Sequence, residues 1–304
     1  MYRTEDIMRI GILGAGSIGL LFASYLGKQF DVTLFPRRHE QMDLINEKGV
    51  TIETLDSTFT TRVRATLDKN EFNKQELIII AVKQYHLENI QADITNIHNE
   101  IPLLFLQNGK SHLKLINHLE HESIIVGSIE HGALKINETT VVHNGIGLTK
   151  LAPYRGEINR ISPLLNWHCE YFQFKTYLDY KEILLKKLLV NAIINPLTAI
   201  LKVKNGELIK NTFFMQIFHD LYNEIIQLFP ELDSKIVLNE IIRICRNTEN
   251  NESSMLKDIT LQRKTEIDAI VGYILELAKE KNVQLPLTNM VYGMIKGMEK
   301  RGIE

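Results

Sequence analysis

The stretch from Arg9 to Gly19 constrains this chain more than any other. RIGIL (9–13) is a short apolar run of strand type, followed directly by Gly14-Ala15-Gly16-Ser17-Ile18-Gly19 and then by the helix-like LLFASYLGK. In a strand, glycine loop and helix unit the first glycine permits a tight turn and the second lets the backbone approach a pyrophosphate. The third lets helix and strand pack closely, so that N–H groups at the helix start meet the anion. A glycine-rich turn needed only for packing would read similarly. The strand before it, the helix after it and its place at the head of a domain all fit a dinucleotide site.

The pattern that follows supports this. DVTLF (31–35), LIIIAV (77–82), IPLLFL (101–106) and SIIVGSI (123–129) are further strand candidates, separated by helix-length amphipathic stretches. Runs that are apolar at nearly every residue belong to strands covered on both faces, as in a parallel sheet between helix layers. ALKIN, TTVVH and IGLTK, within 131–150, read as short strands extending that sheet in antiparallel fashion. From about residue 180 the periodicity becomes helical. EILLKKLLVNAIINPLTAIL (182–201) is a strongly apolar helix that Pro196 should kink, and helices are expected near 212–229, 233–247 and 255–281, with a short one after Pro286. The expected architecture is an α/β Rossmann-type N-terminal domain (1–178) and an all-α C-terminal domain (179–304). Residues 1–7 read as an extension outside the fold or a misassigned start.

Composition narrows the partners. Lysine and arginine number 35 against 37 acidic residues, so no net positive field exists to hold nucleic acid or an anionic membrane surface. Cys169 and Cys245 are far apart and outside any metal-ligand spacing, which fits reduced thiols and no metal site. No run of ~18–20 uninterrupted apolar residues occurs and the N-terminus is polar, so a cytoplasmic protein is expected.

Two further features carry chemistry. The strand at 31–35 runs into Pro36-Arg37-Arg38, where NAD-binding versions place an acid for the ribose hydroxyls. A guanidinium offers a fork of donors to a 2′-phosphate that a carboxylate would repel, which favours NADP(H), although a solvated pair of loop charges is the plainer alternative. Lys83 and Asn108 close two strands at the ligand-bearing end of such a sheet; a surface lysine and an Asn-Gly turn would look the same. The other feature is the line Lys187, Asn191, Asn195, every fourth residue of an otherwise apolar helix. Buried amides without partners cost about 1–3 kcal/mol each, so the line needs something polar opposite it. An interhelical network, or a lysine reaching to solvent beside Lys186, would also answer that need. Ser253-Ser254 reads as a helix start able to hold a carboxylate, or as an ordinary cap, and Glu266 sits amid apolar residues.

Taken together, GAGSIG, the AVK ending in Lys83, LQNG (106–109), EHGA (130–133), KLLVNAIINPLTA (187–199), KNGEL (204–208) and SSMLKDITLQRKTEID (253–268) resemble the ketopantoate reductase family, in order and from about residue 9 to the end. The resemblance implies NADPH-dependent reduction of ketopantoate to (R)-pantoate, a step of pantothenate and coenzyme A biosynthesis, in a monomer or homodimer. It implies that Gly14, Ala15, Gly16, Ser17, Ile18 and Gly19 cradle the pyrophosphate, with Arg37 and Lys83 toward the 2′-phosphate. Asn108 and Ala133 would line the nicotinamide half, and Glu266 would touch the cofactor across a cleft. Lys187 would donate the proton, Asn191, Asn195 and Asn205 would bond the substrate's hydroxyl end, and Ser254 would hold its carboxylate. Desolvation makes an ammonium a better acid, and general acid catalysis contributes roughly 10²–10⁴ in rate. Three departures bear on the substrate and the phosphate site: Lys110-Ser111 replaces a usual glycine, Glu130 stands where threonine is common, and Arg37 and Arg38 are adjacent. A reductase of another branched 2-keto acid and a non-catalytic NADPH-binding sensor are the rival readings.

Overall fold

The first strand of the structure, a computed structural model describing residues 7–301, begins at Arg9. Of the expected N-terminal extension, all but Ile7 lies outside the described residues. Two units are distinguished. One contains the chain up to Gln107 and His112–Ile183; the other contains Asn108–Ser111 and the chain from Leu184 onward.

The strands of the first unit are β1 (Arg9–Leu13), β2 (Asp31–Phe35), β3 (Val50–Glu53), β4 (Thr58–Thr61), β5 (Arg64–Ala65), β6 (Leu77–Ile80), β7 (Leu103–Phe105), β8 (Ile124–Ile129), β9 (Gly132–Lys135), β10 (Thr140–Gly145), β11 (Leu148–Arg155) and β12 (Gln173–Thr176). Between them lie α1 (Ser17–Leu26), α2 (His39–Lys48) and the short α3 (Gln91–Thr95), α4 (His112–Ile116) and α5 (Ser162–Asn166). The main sheet has the order β12-β11-β8-β7-β6-β1-β2-β5, parallel from β8 to β5. Every residue of β6, β7 and β8 is buried, as the unbroken apolar runs required. The chain leaves β1 for β2 on one side and returns to β6 on the other. The switch point of the sheet, where ligands of such folds bind beyond the strand ends, therefore lies between β1 and β6.

Residues 131–150 depart from expectation. Only β11 joins the main sheet, antiparallel to β8, while β9 and β10 form a separate sheet of order β4-β3-β10-β9. Their burial explains it: β10 alternates, with Val141 and His143 inward, which suits a sheet covered on one face, here by α1. The short runs VTIE and TFTT, rich in β-branched residues but only four residues each and without an unbroken apolar stretch, supply its other half.

The second unit is helical: α6 (Tyr180–Leu201), which begins in the first unit, then α7 (Glu207–Lys210), α8 (Thr212–Ile226), α9 (Ser234–Asn247), α10 (Ser254–Thr260), α11 (Tyr273–Glu280) and α12 (Pro286–Arg301). Helix α6 runs unbroken through Pro196 and gives Leu188, Leu189, Ala192, Ile193 and Leu197 to a core shared with Phe218, Tyr222, Ile241 and Ile270. By length and mean composition α6 could cross a membrane, although Lys186, Lys187, Asn191 and Asn195 interrupt its apolar run, and 72% of its apolar window is buried inside the protein. Two other expectations are corrected. The single helix foreseen over 255–281 is α10, a break, a π-helical turn at Asp268–Gly272 and α11. The break is held by Thr265, whose N–H and hydroxyl both donate to Glu299 on α12 at 2.7 Å. The short helix foreseen after Pro286 spans 16 residues. Glu224 of α8 accepts from the N–H groups of Leu287 and Thr288 at 2.8 Å, satisfying donors that a helix start leaves open and placing negative charge there.

Candidate active site

Beyond β1 the chain turns at Gly14, whose φ of +109° side-chain-bearing residues rarely adopt; a Cβ there would lie 2.8 Å from Val82, just past β6. A Cβ on Gly19 would lie 1.8 Å from the Gly14 carbonyl oxygen, so the first turn of α1 sits directly on the loop. Gly16 is the opposite case. It is exposed, and no atom comes within 4 Å of where its Cβ would stand. Gly16 also caps α1 with no side chain bonding the helix start, so the first N–H groups face outward. Open space above uncapped donors, at the switch point, fits the pyrophosphate of a nicotinamide dinucleotide. The loop is braced from behind: the Gly14 N–H donates to Phe35 O at 3.1 Å and Gln41 Nε2 donates to Ala15 O at 2.9 Å.

The two arginines after β2 separate in the structure. Arg37 is exposed, whereas Arg38, which precedes α2, is paired with Glu138. Lys83 follows β6, half-buried, with its ammonium 5.9 Å from the Tyr85 ring centre. Ala133 is half-buried on β9, opposite His143. Gln107 was not singled out by sequence, yet its buried amide donates to Ile80 O and Val82 O at 2.9 Å and ties the ends of β6 and β7 together.

In the second unit Asn108 Nδ2 donates to Glu266 at 2.7 Å. Gly109 makes this approach possible: its φ is +77°, and a Cβ would stand 2.2 Å from the Ala269 carbonyl oxygen, in the π-helical turn. Lys187 and Asn191 are half-buried along α6, and Asn195, buried, reaches Ser254 Oγ at 3.5 Å. One turn on, Thr198 donates to Ser253 Oγ at 2.7 Å, and Ser253, not Ser254, caps α10 by accepting from the Leu256 N–H at 3.1 Å. That leaves the Ser254 hydroxyl exposed beside Asn195. Asn205 joins this group through the loop: its N–H donates to Asn251 O at 3.0 Å and its Nδ2 to Thr248 Oγ1 at 2.9 Å, while its Oδ1 is buried with no hydrogen-bond partner. A buried amide oxygen of that kind awaits a hydroxyl or a water. The Thr198–Ser253 bond was also missed, although Thr198 lies three residues after Asn195, on the same helical face. Among the described residues no cluster of three or more His, Cys, Asp or Glu is suited to a metal ion.

An open main-chain anion cradle at a sheet switch point, in a chain whose helical unit aligns one lysine with two amides, defines a two-unit dinucleotide-dependent oxidoreductase. Residues 10–156 match the family model described as Ketopantoate reductase PanE/ApbA, and residues 179–299 match the model of its C terminal. The chain belongs to the ketopantoate reductase family. The 2-dehydropantoate 2-reductase of Listeria innocua is 37% identical over 298 residues, covering 97% of this chain and 98% of its own. That of Bacillus subtilis is 34% identical over 296 residues, covering 96% and 98%. Among solved structures, the probable 2-dehydropantoate 2-reductase of Bacillus subtilis superposes with a TM-score of 0.88 at 34% identity, covering 96% of this chain and 100% of that one. D-mandelate dehydrogenase in complex with NADH and anilino(oxo)acetate superposes at 0.86 and 24% identity, covering 98% and 100%, a likeness of fold alone.

Proposed function

We infer that the protein reduces 2-dehydropantoate to pantoate with NADPH, residues 1–178 serving the coenzyme and 179–304 the substrate and the proton transfer, in the cytoplasm. The observation that carries this reading is the polar line of α6, Lys187, Asn191 and Asn195, ending on the exposed Ser254 hydroxyl within a chain of this family. When bound, the reduced nicotinamide supplies the hydride for the 2-keto carbon. The ammonium of Lys187 gives a proton to the oxygen that gains the electron pair, which balances the reduction as an alcohol. Asn191, Asn195 and Asn205 orient the hydroxyl end of the substrate, and the unpartnered Asn205 oxygen is an acceptor suited to it. The Ser254 hydroxyl holds the carboxylate. Asn108 and Glu266, already bonded to each other, together with Ala133, serve the nicotinamide half, and Gly14 to Gly19 the pyrophosphate.

The choice of NADPH over NADH rests on Arg37, with Lys83 assisting. The fold does not choose, since the D-mandelate dehydrogenase neighbour is described with NADH. Arg37, exposed and without an ion pair among the described residues, is the arginine suited to the 2′-phosphate. Arg37→Glu should weaken NADPH far more than NADH in a fluorescence titration; an unchanged preference would move the phosphate site elsewhere. The reaction itself is tested by kcat/KM for 2-dehydropantoate against 2-ketoisovalerate. A clear preference for the hydroxylated acid is expected, because buried amides left without the hydroxyl lose their hydrogen bonds. Equal use of both would remove the pantoate assignment, and no NADPH oxidation with either would leave a binding protein.

A further inference from the structure

The turn between β9 and β10 carries a carboxylate close to the arginine pair, where a site built to read a phosphate would be expected to exclude one. Glu138 pairs with Arg38 and, at 2.8 Å, with Lys135. Burial alone would raise its carboxyl, but hydrogen bonds from Lys135 and Arg38 outweigh that and hold it below the ordinary carboxylate range. The turn is also fastened to the glycine loop. The Lys135 N–H donates to Ser17 Oγ at 3.1 Å, the Lys135 ammonium lies 3.5 Å from Ala15 O, and Gln41 Nε2 bridges Ala15 O and Glu138 O at 2.9 Å each. Side-chain exposures of 48% for Arg38 and 26% for Glu138 put the pair at the surface of the loop and not in the core.

Two adjacent guanidiniums would grip a 2′-phosphate dianion from both sides, and a reductase has to release its oxidised coenzyme at every turnover. We propose that Glu138 is a specificity-determining residue for the coenzyme: by engaging Arg38 it leaves Arg37 alone to hold the 2′-phosphate, and so sets how tightly NADPH is bound relative to NADH. This rests on the reading of Arg37 given above. Glu138→Gln removes one negative charge and frees Arg38 without shortening the side chain.

The test is a fluorescence titration of the whole protein with NADPH and with NADH. Glu138→Gln should tighten NADPH by about threefold to tenfold, the scale of one added charge-assisted contact at a half-exposed site, and leave NADH within about twofold. The gain should shrink as salt rises from about 0.05 to 0.5 M, and it should vanish when Arg38→Gln is added. NADPH and NADH weakening together would reduce Glu138 to a fastener of the turn and overturn the proposal. So would an unchanged NADPH affinity, or a gain that survives Arg38→Gln. Arg37→Glu separates the two levels. If it abolishes the NADPH preference while Glu138→Gln does nothing, only the role of Glu138 falls; if Arg37→Glu itself has no effect, the phosphate reading falls and this inference with it.

Discussion

At the glycine loop of the first unit the groups on offer to a ligand are main-chain N–H donors beneath the open face of Gly16; along α6 in the second unit they are the tips of side chains, one ammonium and a run of amides and hydroxyls. The first kind is indifferent to which side chains surround it but, at Gly14 and Gly19, intolerant of an added Cβ, as the 1.8 Å approach at Gly19 makes plain. The second can be deleted a few atoms at a time with little change to the backbone. Pyrophosphate binding by the backbone of the first unit and proton transfer by a side chain of the second should therefore come apart under mutation.

The largest effect that separates them is expected at Lys187. Lys187→Ala should lower kcat by about a hundredfold or more, the lower range of general acid catalysis, while the Kd for NADPH stays near its original value. The side chain is half-buried on a helix whose core contacts come from its other faces, so the variant should fold. Near-normal turnover would mean that another group supplies the proton. Loss of NADPH binding along with turnover would break the comparison itself.

The same contrast governs what could be read from the sequence. Gly14, Gly16 and Gly19 were legible because a backbone conformation demands a residue type, and the α6 line because helical periodicity shows through an apolar stretch. Features made by distant partners left no local mark. The β3–β10 pairing joins Thr51 to Thr140, and neither strand has the unbroken apolar run that announced β6. The break before the π-helical turn depends on Glu299, 34 positions after Thr265, and the full length of α12 on Glu224. The division between Arg37 and Arg38 follows from Glu138, 100 residues beyond Arg38. Nothing in Pro36-Arg37-Arg38 itself could distinguish the two.

A smaller effect tests whether the units also differ in how they meet acid. Nine of the ten histidines lie in the first unit, and only His219 in the second. His112 is fully buried with neither ring nitrogen hydrogen-bonded, and burial pushes its pKa down to about 3. Burial also lowers His121, with Arg155 adding to it, and His143. An unfolded chain takes up protons on these rings as pH falls below about 6.5, and the folded unit takes them up only at lower pH, so folded-state stability is lost on acidification through that window. For His112 alone the loss is about 1.4 kcal/mol per pH unit. Trp167, the single tryptophan, packs against Phe30 and Phe172 in the first unit, whereas the helical circular dichroism comes largely from the second. Between pH 7 and 5.5 the urea midpoint reported by Trp167 fluorescence should fall further than the helical midpoint, and His112→Leu should recover about 1 kcal/mol of the difference. Two midpoints that fall in parallel, with His112→Leu changing neither, would show that the acid response is shared and that the buried rings of the first unit do not set it.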